Sequence, residues 1–278
     1  MKRKLIKQGG SGLTIYIPKK WIDRLNLKPG DELDVDEEGN QLILSPDEFR
    51  SDKEISINTT HMSNKSVILA LNSAYWHGYN LIELVNEKNF SFVEINKLVD
   101  SYIGLVTLEQ EDNKILIKNV MSEKAEDVNK VINKIFITLG FLMKKALEKK
   151  PNHEELLELR NSVFRLSNYA QRLIFANHYG KDKTYAHNIL IFCLKKISTP
   201  FIHLDSKANK EILAKIIDWF EKIRLSFVKS DLNLATKTFE EVSKARNELL
   251  KHKKEEIGTT IIVEHLFSLS SRTIAVLI

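Results

Sequence analysis

The sequence predicts a multidomain α+β protein: a small β element, then a short α/β segment, then an all-α remainder. Three observations carry this reading. The first 46 residues alternate weakly between apolar and polar and are punctuated by glycine and proline. Between about residues 50 and 118, strand-like alternation trades places with helix-like spacing, and beyond that apolar residues recur three and four apart. A chain of 278 residues is longer than one core usually grows, and its 5 prolines and 10 glycines leave room for long helices.

The first element turns on "LIKQGGSGLTIYIPKKW", residues 5–21. A glycine-serine run there admits a phosphate loop, a linker or a tight turn. The phosphate loop needs a preceding strand and then Gly-Lys-Ser/Thr opening a helix, whereas here the glycines lead into a strand and no lysine precedes Ser11. A strand-to-strand turn is therefore expected. "LTIYI" places Leu13, Ile15 and Ile17 on one face and Thr14 and Tyr16 on the other, and Pro18 ends the ladder because it has no N–H. "KKWIDRLNL" reads as a short helix carrying Trp21, Ile22 and Leu25. "KPGDEL" is a turn, and "LDV" and "QLILSP" flank "DEEGN" as a hairpin. An element this small cannot bury a core alone, so a homodimer through it is expected.

The middle segment begins with "EISINTT" as a strand. "SNKSVILALNSAYWHGYN" spaces Val67, Leu71, Ala74 and Tyr75 as one helical face and stops at Gly78. "NLIELV" is a strand, "SFVEINKLVDSYIG" a helix with Ser91 as cap and Glu94 three residues on, and "LVTLEQEDNKILIK" a hairpin turning near Asp112–Asn113.

The remainder reads as six helices. Val128, Val131, Ile132, Ile135, Leu139, Leu142, Met143 and Ala146 form one stripe. A second helix is expected from Pro151, a third carries a kink at Pro200, and three more follow at about 207–229, 231–252 and 255–278. The order suggests two three-helix repeats. The expected domains are residues 1–48, 49–119 and 120–278.

Charge is distributed unevenly. Residues 1–28 hold Lys2, Arg3, Lys4, Lys7, Lys19, Lys20, Arg24 and Lys28 against the single acid Asp23, and residues 29–38 then hold Asp31, Glu32, Asp34, Asp36, Glu37 and Glu38. Such a split lets a small element turn a basic face toward a polyanion. Cys193 is the one cysteine and lies among apolar residues, the setting of an inert buried thiol. With no apolar segment after "MKRK" and no run of 18 uncharged apolar residues, a cytoplasmic chain that spans no membrane is expected. The apolar C-terminal "SSRTIAVLI" is expected in the bundle or a dimer seam.

Catalytic signals are poor. No His-x-x-x-His or Glu-x-x-His spacing occurs, and His61, His77, His178 and His187 are scattered. Asp205, Asp218 and Glu221 read as solvated faces, and "KHKKEE" at 251–256 as an exposed connection. No enzyme, metal or cofactor is expected.

"IKQGGSGLTIYIPKKWIDRLNLKPGDELDV…QLILSP" resembles the swapped-hairpin DNA-binding domain of the AbrB, SpoVT and MazE families. The resemblance implies a two-fold dimer that grips duplex DNA. Lys2, Arg3, Lys4, Lys7, Lys19 and Lys20 would neutralise phosphates, and Gln8, Ser11, Thr14 and Tyr16 would hydrogen-bond to base edges or backbone. Tyr16 stands where MazE-like domains usually carry arginine. The helical part resembles PhoU, with "LKKISTP" (194–200) and "LFSLSSR" (266–272) where the PhoU signature falls, and the whole arrangement is similar to archaeal phosphate uptake regulators. The family's metal-binding glutamate and aspartate are here Lys195 and Thr199 in the first repeat and Phe267 and Ser271 in the second, none of which supplies a cation's oxygen cage.

The function implied is a DNA-binding transcriptional regulator, in phosphate-uptake control by the resemblance, with a helical domain that senses a ligand or docks a protein partner. The alternatives are a PhoU-type adaptor of a phosphate transporter or signalling kinase whose N-terminal domain only dimerises, and an antitoxin-like partner.

Overall fold

The computed structural model describes residues 2–9, 12–38, 41–46, 53–86, 92–121, 127–176, 181–204, 210–251 and 257–278. The chain divides into two compact units, Met1–Ser51 and Asp52–Ile278.

The first unit holds two separate hairpins and a short helix. Strands β1 (Ile6–Gln8) and β2 (Gly12–Thr14) pair antiparallel, as do β3 (Leu33–Glu38) and β4 (Gln41–Pro46). Helix α1 (Lys19–Arg24) lies between them and buries none of its residues. The expected strand over 13–17 is shorter than the alternation suggests, because β2 stops at Thr14. Its register with β1 runs Ile6↔Thr14 to Gln8↔Gly12, so Ile15–Ile17 pass beyond their only neighbour. Gly9 turns the hairpin at φ 69 and Gly30 makes the second turn at φ 101, a region only glycine enters cheaply.

The second unit opens with β5 (Lys53–Asn58), α2 (Asn64–Trp76) and β6 (Tyr79–Val85), a parallel β-α-β unit. Helix α3 (Phe92–Val99) and the hairpin β7 (Leu105–Gln110)–β8 (Lys114–Asn119) complete a sheet of order β5-β6-β8-β7, whose last two pairings are antiparallel. The Ser63 hydroxyl caps α2 by accepting from Ser66 N at 3.2 Å, and Gly78 at φ 77 ends it. Ser91, expected to cap α3, lies outside the described residues. The predicted face of α2 is the buried one: Val67, Leu71, Ala74 and Tyr75 pack on Ile82, Leu84, Ile115 and Ile117. Each such side chain taken from water contributes roughly 1.5–3 kcal/mol. Tyr75 and Tyr102 bury their rings 5.1 Å apart and place their hydroxyls on Ile103 O and Asn72 Oδ1.

Six long helices follow: α4 (Val128–Ala146), α5 (His153–Ala176), α6 (Lys181–Ser198), α7 (Lys210–Lys229), α8 (Leu232–Lys251) and α9 (Ile257–Leu277). The predicted stripe of α4 is wholly inside, joined by Phe136. Helix α5 starts later than Pro151, because Asn152 Oδ1 accepts from Glu154 N and Glu155 N and so acts as the cap. Pro200 does more than kink α6: the helix ends at Ser198 and the chain resumes as a single 3-10 turn, Pro200–His203. One core receives buried residues from all six helices, including Phe136 of α4, Leu173 of α5, Leu194 of α6, Phe220 of α7, Val242 of α8 and Leu266 of α9. The two sets of three helices thus share an interior. By length and composition Gly258–Leu277 would suffice to cross a membrane, but α9 packs against α6, α7 and α8.

Sheet and bundle belong to one unit and are joined by Arg172 on α5, which is 1% exposed. Its guanidinium donates to Tyr75 O at 2.8 Å, Tyr79 O at 2.9 Å and Asn80 Oδ1. It also lies 5.0 Å from the centre of the Tyr75 ring. Sequence reading missed this residue, since an arginine in an amphipathic helix reads as solvated.

Candidate nucleic-acid interface

The basic residues of the first unit are disposed in two groups. Lys2, Arg3 and Lys4 run extended and exposed into β1, where Lys7 and Gln8 are also exposed, while Lys19 and Lys20 open α1, exposed as well. Gln8 is paired with Gly12, and Ile6 with Thr14. In such a ladder opposed residues share a face and neighbours alternate. Gln8 and Thr14 therefore stand on one face, and Lys7 stands with Leu13 on the other. Thr14 Oγ1 donates to Ile6 O at 3.3 Å, so its proton is already engaged within the hairpin. Tyr16 is 73% exposed, with its ring and hydroxyl in water. Ser11 lies outside the described residues.

Apolar exposure is the second property of this unit. Leu5, Leu13, Ile15, Val35 and Leu42 are 52–65% exposed, and none of the residues of 1–51 whose side chains are described is buried. The sequence had spaced Leu13, Ile15 and Ile17 on one face, and the described residues of this unit leave Leu13 and Ile15 uncovered. An uncovered apolar face of this kind marks an association surface. Turn and charge are both local: Lys28 N donates to Asp31 Oδ2 at 2.6 Å where the basic stretch gives way to the acidic one.

Residues 6–51 match the family model described as "Antidote-toxin recognition MazE, bacterial antitoxin". The first unit is a MazE/AbrB-type domain. No curated protein and no solved structure matches the chain. Gly9 and Gly12, at the two ends of the glycine-serine stretch, belong to a hairpin of two exposed strands, and among the described residues no helix opens there as a phosphate loop would need.

In the second unit, the residues that could carry other chemistry are engaged separately. His77 Nδ1 donates to Ser73 O at 2.7 Å and the ring stacks on Phe175, whereas His187 is buried beside Asn129 Oδ1 at 3.2 Å. Asp218 pairs with Lys222 at 2.8 Å and Glu221 with Arg224. Among the described residues no three His, Cys, Asp or Glu converge on one point. Cys193 is buried, and that burial pushes its thiol up, away from thiolate reactivity.

Lys195 is the unusual group. It stands one turn from the end of α6, with its Nζ 3.1 Å from Asn168 Oδ1, 4.8 Å from the centre of the Phe164 ring and 5.7 Å from that of Trp76. Burial first, and the charge of Arg160 second, hold its ammonium down to about 8. The sequence marked Lys195 only as a missing carboxylate. Its surroundings come from residues more than a hundred positions apart, so no local pattern could have revealed them.

Proposed function

We propose that the protein is a cytoplasmic homodimer that binds duplex DNA through its MazE/AbrB-type domain and regulates transcription. The observation that carries this is a domain of that type whose Leu13 and Ile15 are left uncovered by its described residues and whose Lys/Arg side chains are exposed. Two copies interleaving their hairpins would bury Leu13 and Ile15 at the two-fold axis. Lys2, Arg3, Lys4, Lys19 and Lys20 would then meet phosphates, with Gln8 and Tyr16 presented toward the grooves. The second unit serves as the sensing or partner-docking part: an effector preferring one of its arrangements would shift the pairing of the hairpins.

Phosphate-uptake control forms no part of this reading. Lys195, Thr199, Phe267 and Ser271 supply no carboxylates for a metal centre at those four positions. The family description favours one second reading, an antitoxin-like role toward a protein partner, and the same domain would serve it.

The test is fluorescence anisotropy of labelled duplex DNA over a salt series, with wild type beside a Lys4→Ala/Lys19→Ala variant. Affinity falling steeply with salt is expected. The variant, lacking two cations per copy and four per dimer, should show a log–log slope shallower by about 3–4. Absence of binding to any duplex, or a variant with an unchanged slope, would sink the DNA reading and leave the protein-partner role.

A further inference from the structure

Lys195 lies on the wall of a cavity of about 690 Å³ built from α2, α5, α6 and α9. That size falls within the range of small-molecule sites. Three properties of the lining bear on its occupant. Among the described residues its charged and ionisable members are Lys195, Lys196, His203 and His265, with no aspartate or glutamate. Its floor and rim are aromatic and aliphatic: Trp76, Phe164, Phe192, Leu69 and Ile261. The Lys195 Nζ lies 4.8 Å from the centre of the Phe164 ring and 5.7 Å from that of Trp76, so the charge and the rings adjoin.

Lys195 itself forms no ion pair among the described residues. Its single hydrogen bond, to Asn168 Oδ1, leaves two ammonium protons for another acceptor. A second cavity, of about 410 Å³, shares Asn72, Phe164 and Lys195 with the first, so the ammonium stands where the two meet.

We propose that this cavity binds a small organic anion with a flat apolar body, of the aromatic carboxylate class. The carboxylate sits on Lys195, and the body lies among Phe164, Trp76 and Phe192. The pairing answers each property in turn. The anion neutralises a cation that has no acid partner among the described residues, the body covers exposed rings that water solvates poorly, and one molecule carrying both groups matches the closeness of ammonium and rings. Inorganic phosphate meets only the first of these. The residues come from both the sheet-side helix α2 and the bundle, so an occupant touches the two parts of the second unit at once. If the protein acts on DNA as proposed above, this is where its effector would enter; the binding itself is independent of that reading.

The experiment is isothermal titration of the full-length protein, without DNA, with naphthalene-1-carboxylate and its neutral isostere naphthalene-1-carboxamide. The carboxylate is expected to saturate one site per chain with a Kd of about 0.1 mM or tighter. The carboxamide is expected to bind at least about tenfold more weakly, the value of one charge-assisted hydrogen bond. Lys195→Met should bring the carboxylate down to the carboxamide's affinity and leave the carboxamide unchanged, while Lys195→Arg should retain most of the carboxylate's advantage. Equal binding of the two probes, no saturable binding of either, or carboxylate binding unaffected by Lys195→Met would overturn the proposal. Displacement of the carboxylate by inorganic phosphate at equal concentration would also overturn it, by showing that the apolar body contributes nothing. Because no DNA is present, a negative result here leaves the DNA reading standing, and the salt series leaves this one untouched.

Discussion

Replacing Lys195 by methionine should make the protein more stable at pH 7. The ammonium is held down to about 8 from the usual 10.5, chiefly by burial. A displacement of that size corresponds to about 3 kcal/mol by which the folded state disfavours the charged form. Two aromatic rings and Asn168 Oδ1 return part of this when the charge is present. Methionine keeps the unbranched length and the ring contacts, but it leaves the Asn168 acceptor without its donor, a loss of about 1 kcal/mol. The net expectation is a gain of about 1–2 kcal/mol at pH 7. The sign with pH follows from proton counts. Between pH 8 and 10.5 the unfolded lysine is protonated more fully than the folded one, so wild-type stability rises with pH across that window. The advantage of Lys195→Met is then full below pH 8 and shrinks toward pH 10.5. Urea unfolding of both proteins at pH 7 and pH 10 checks it. A variant less stable than wild type at pH 7, or a difference equal at the two pH values, would refute the reasoning that this charge is kept against folding.

Gly104 adopts φ 86, and a Cβ there would meet Asn119 Oδ1 at 2.6 Å and Met121 Cγ at 2.8 Å. Gly104→Ala should therefore lose at least about 2 kcal/mol in thermal or urea unfolding, from backbone strain and the displaced asparagine together. Arg172→Met withdraws a buried guanidinium from Tyr75 O, Tyr79 O and Asn80 Oδ1 and should destabilise by about 3–5 kcal/mol, with hydrogen exchange rising first at the end of α2. Leu13→Glu places a carboxylate on a strand face that is 63% exposed in one chain. Sedimentation should show the variant as a monomer while its far-UV helical signal stays near wild type, because residues 52–278 carry their own cores.

What the sequence disclosed depended on how local the cause was. Val67, Leu71, Ala74 and Tyr75 were readable because helix spacing alone decides which side faces the sheet. The stripe of α4 was readable for the same reason. The end of β2 at Thr14 was not, since alternation continues through Ile17 and only the short partner strand stops the ladder. Asn152 outcompeted Pro151 as the start of α5 through a side-chain hydrogen bond, which residue preference does not rank. Within the candidate interface, composition located the lysines, but the register was needed to set Lys7 and Gln8 on opposite faces. Arg172 and the cavity at Lys195 escaped altogether. Each is made by side chains from helices and strands that meet only after folding, and nothing in their neighbours along the chain distinguishes them from ordinary solvated cations.

The absence of any buried residue among the positions of 1–51 whose side chains are described, beside two full cores in 52–278, has a thermodynamic corollary. The second unit can order itself at any dilution. If it dimerises as proposed above, the first gains its interior only by meeting another copy, so its melting temperature should climb with protein concentration while that of the second stays fixed. A calorimetric scan would then show two transitions that draw together as the sample is concentrated. The amount of protein present, as much as any ligand, would set how many chains have a folded hairpin domain to offer.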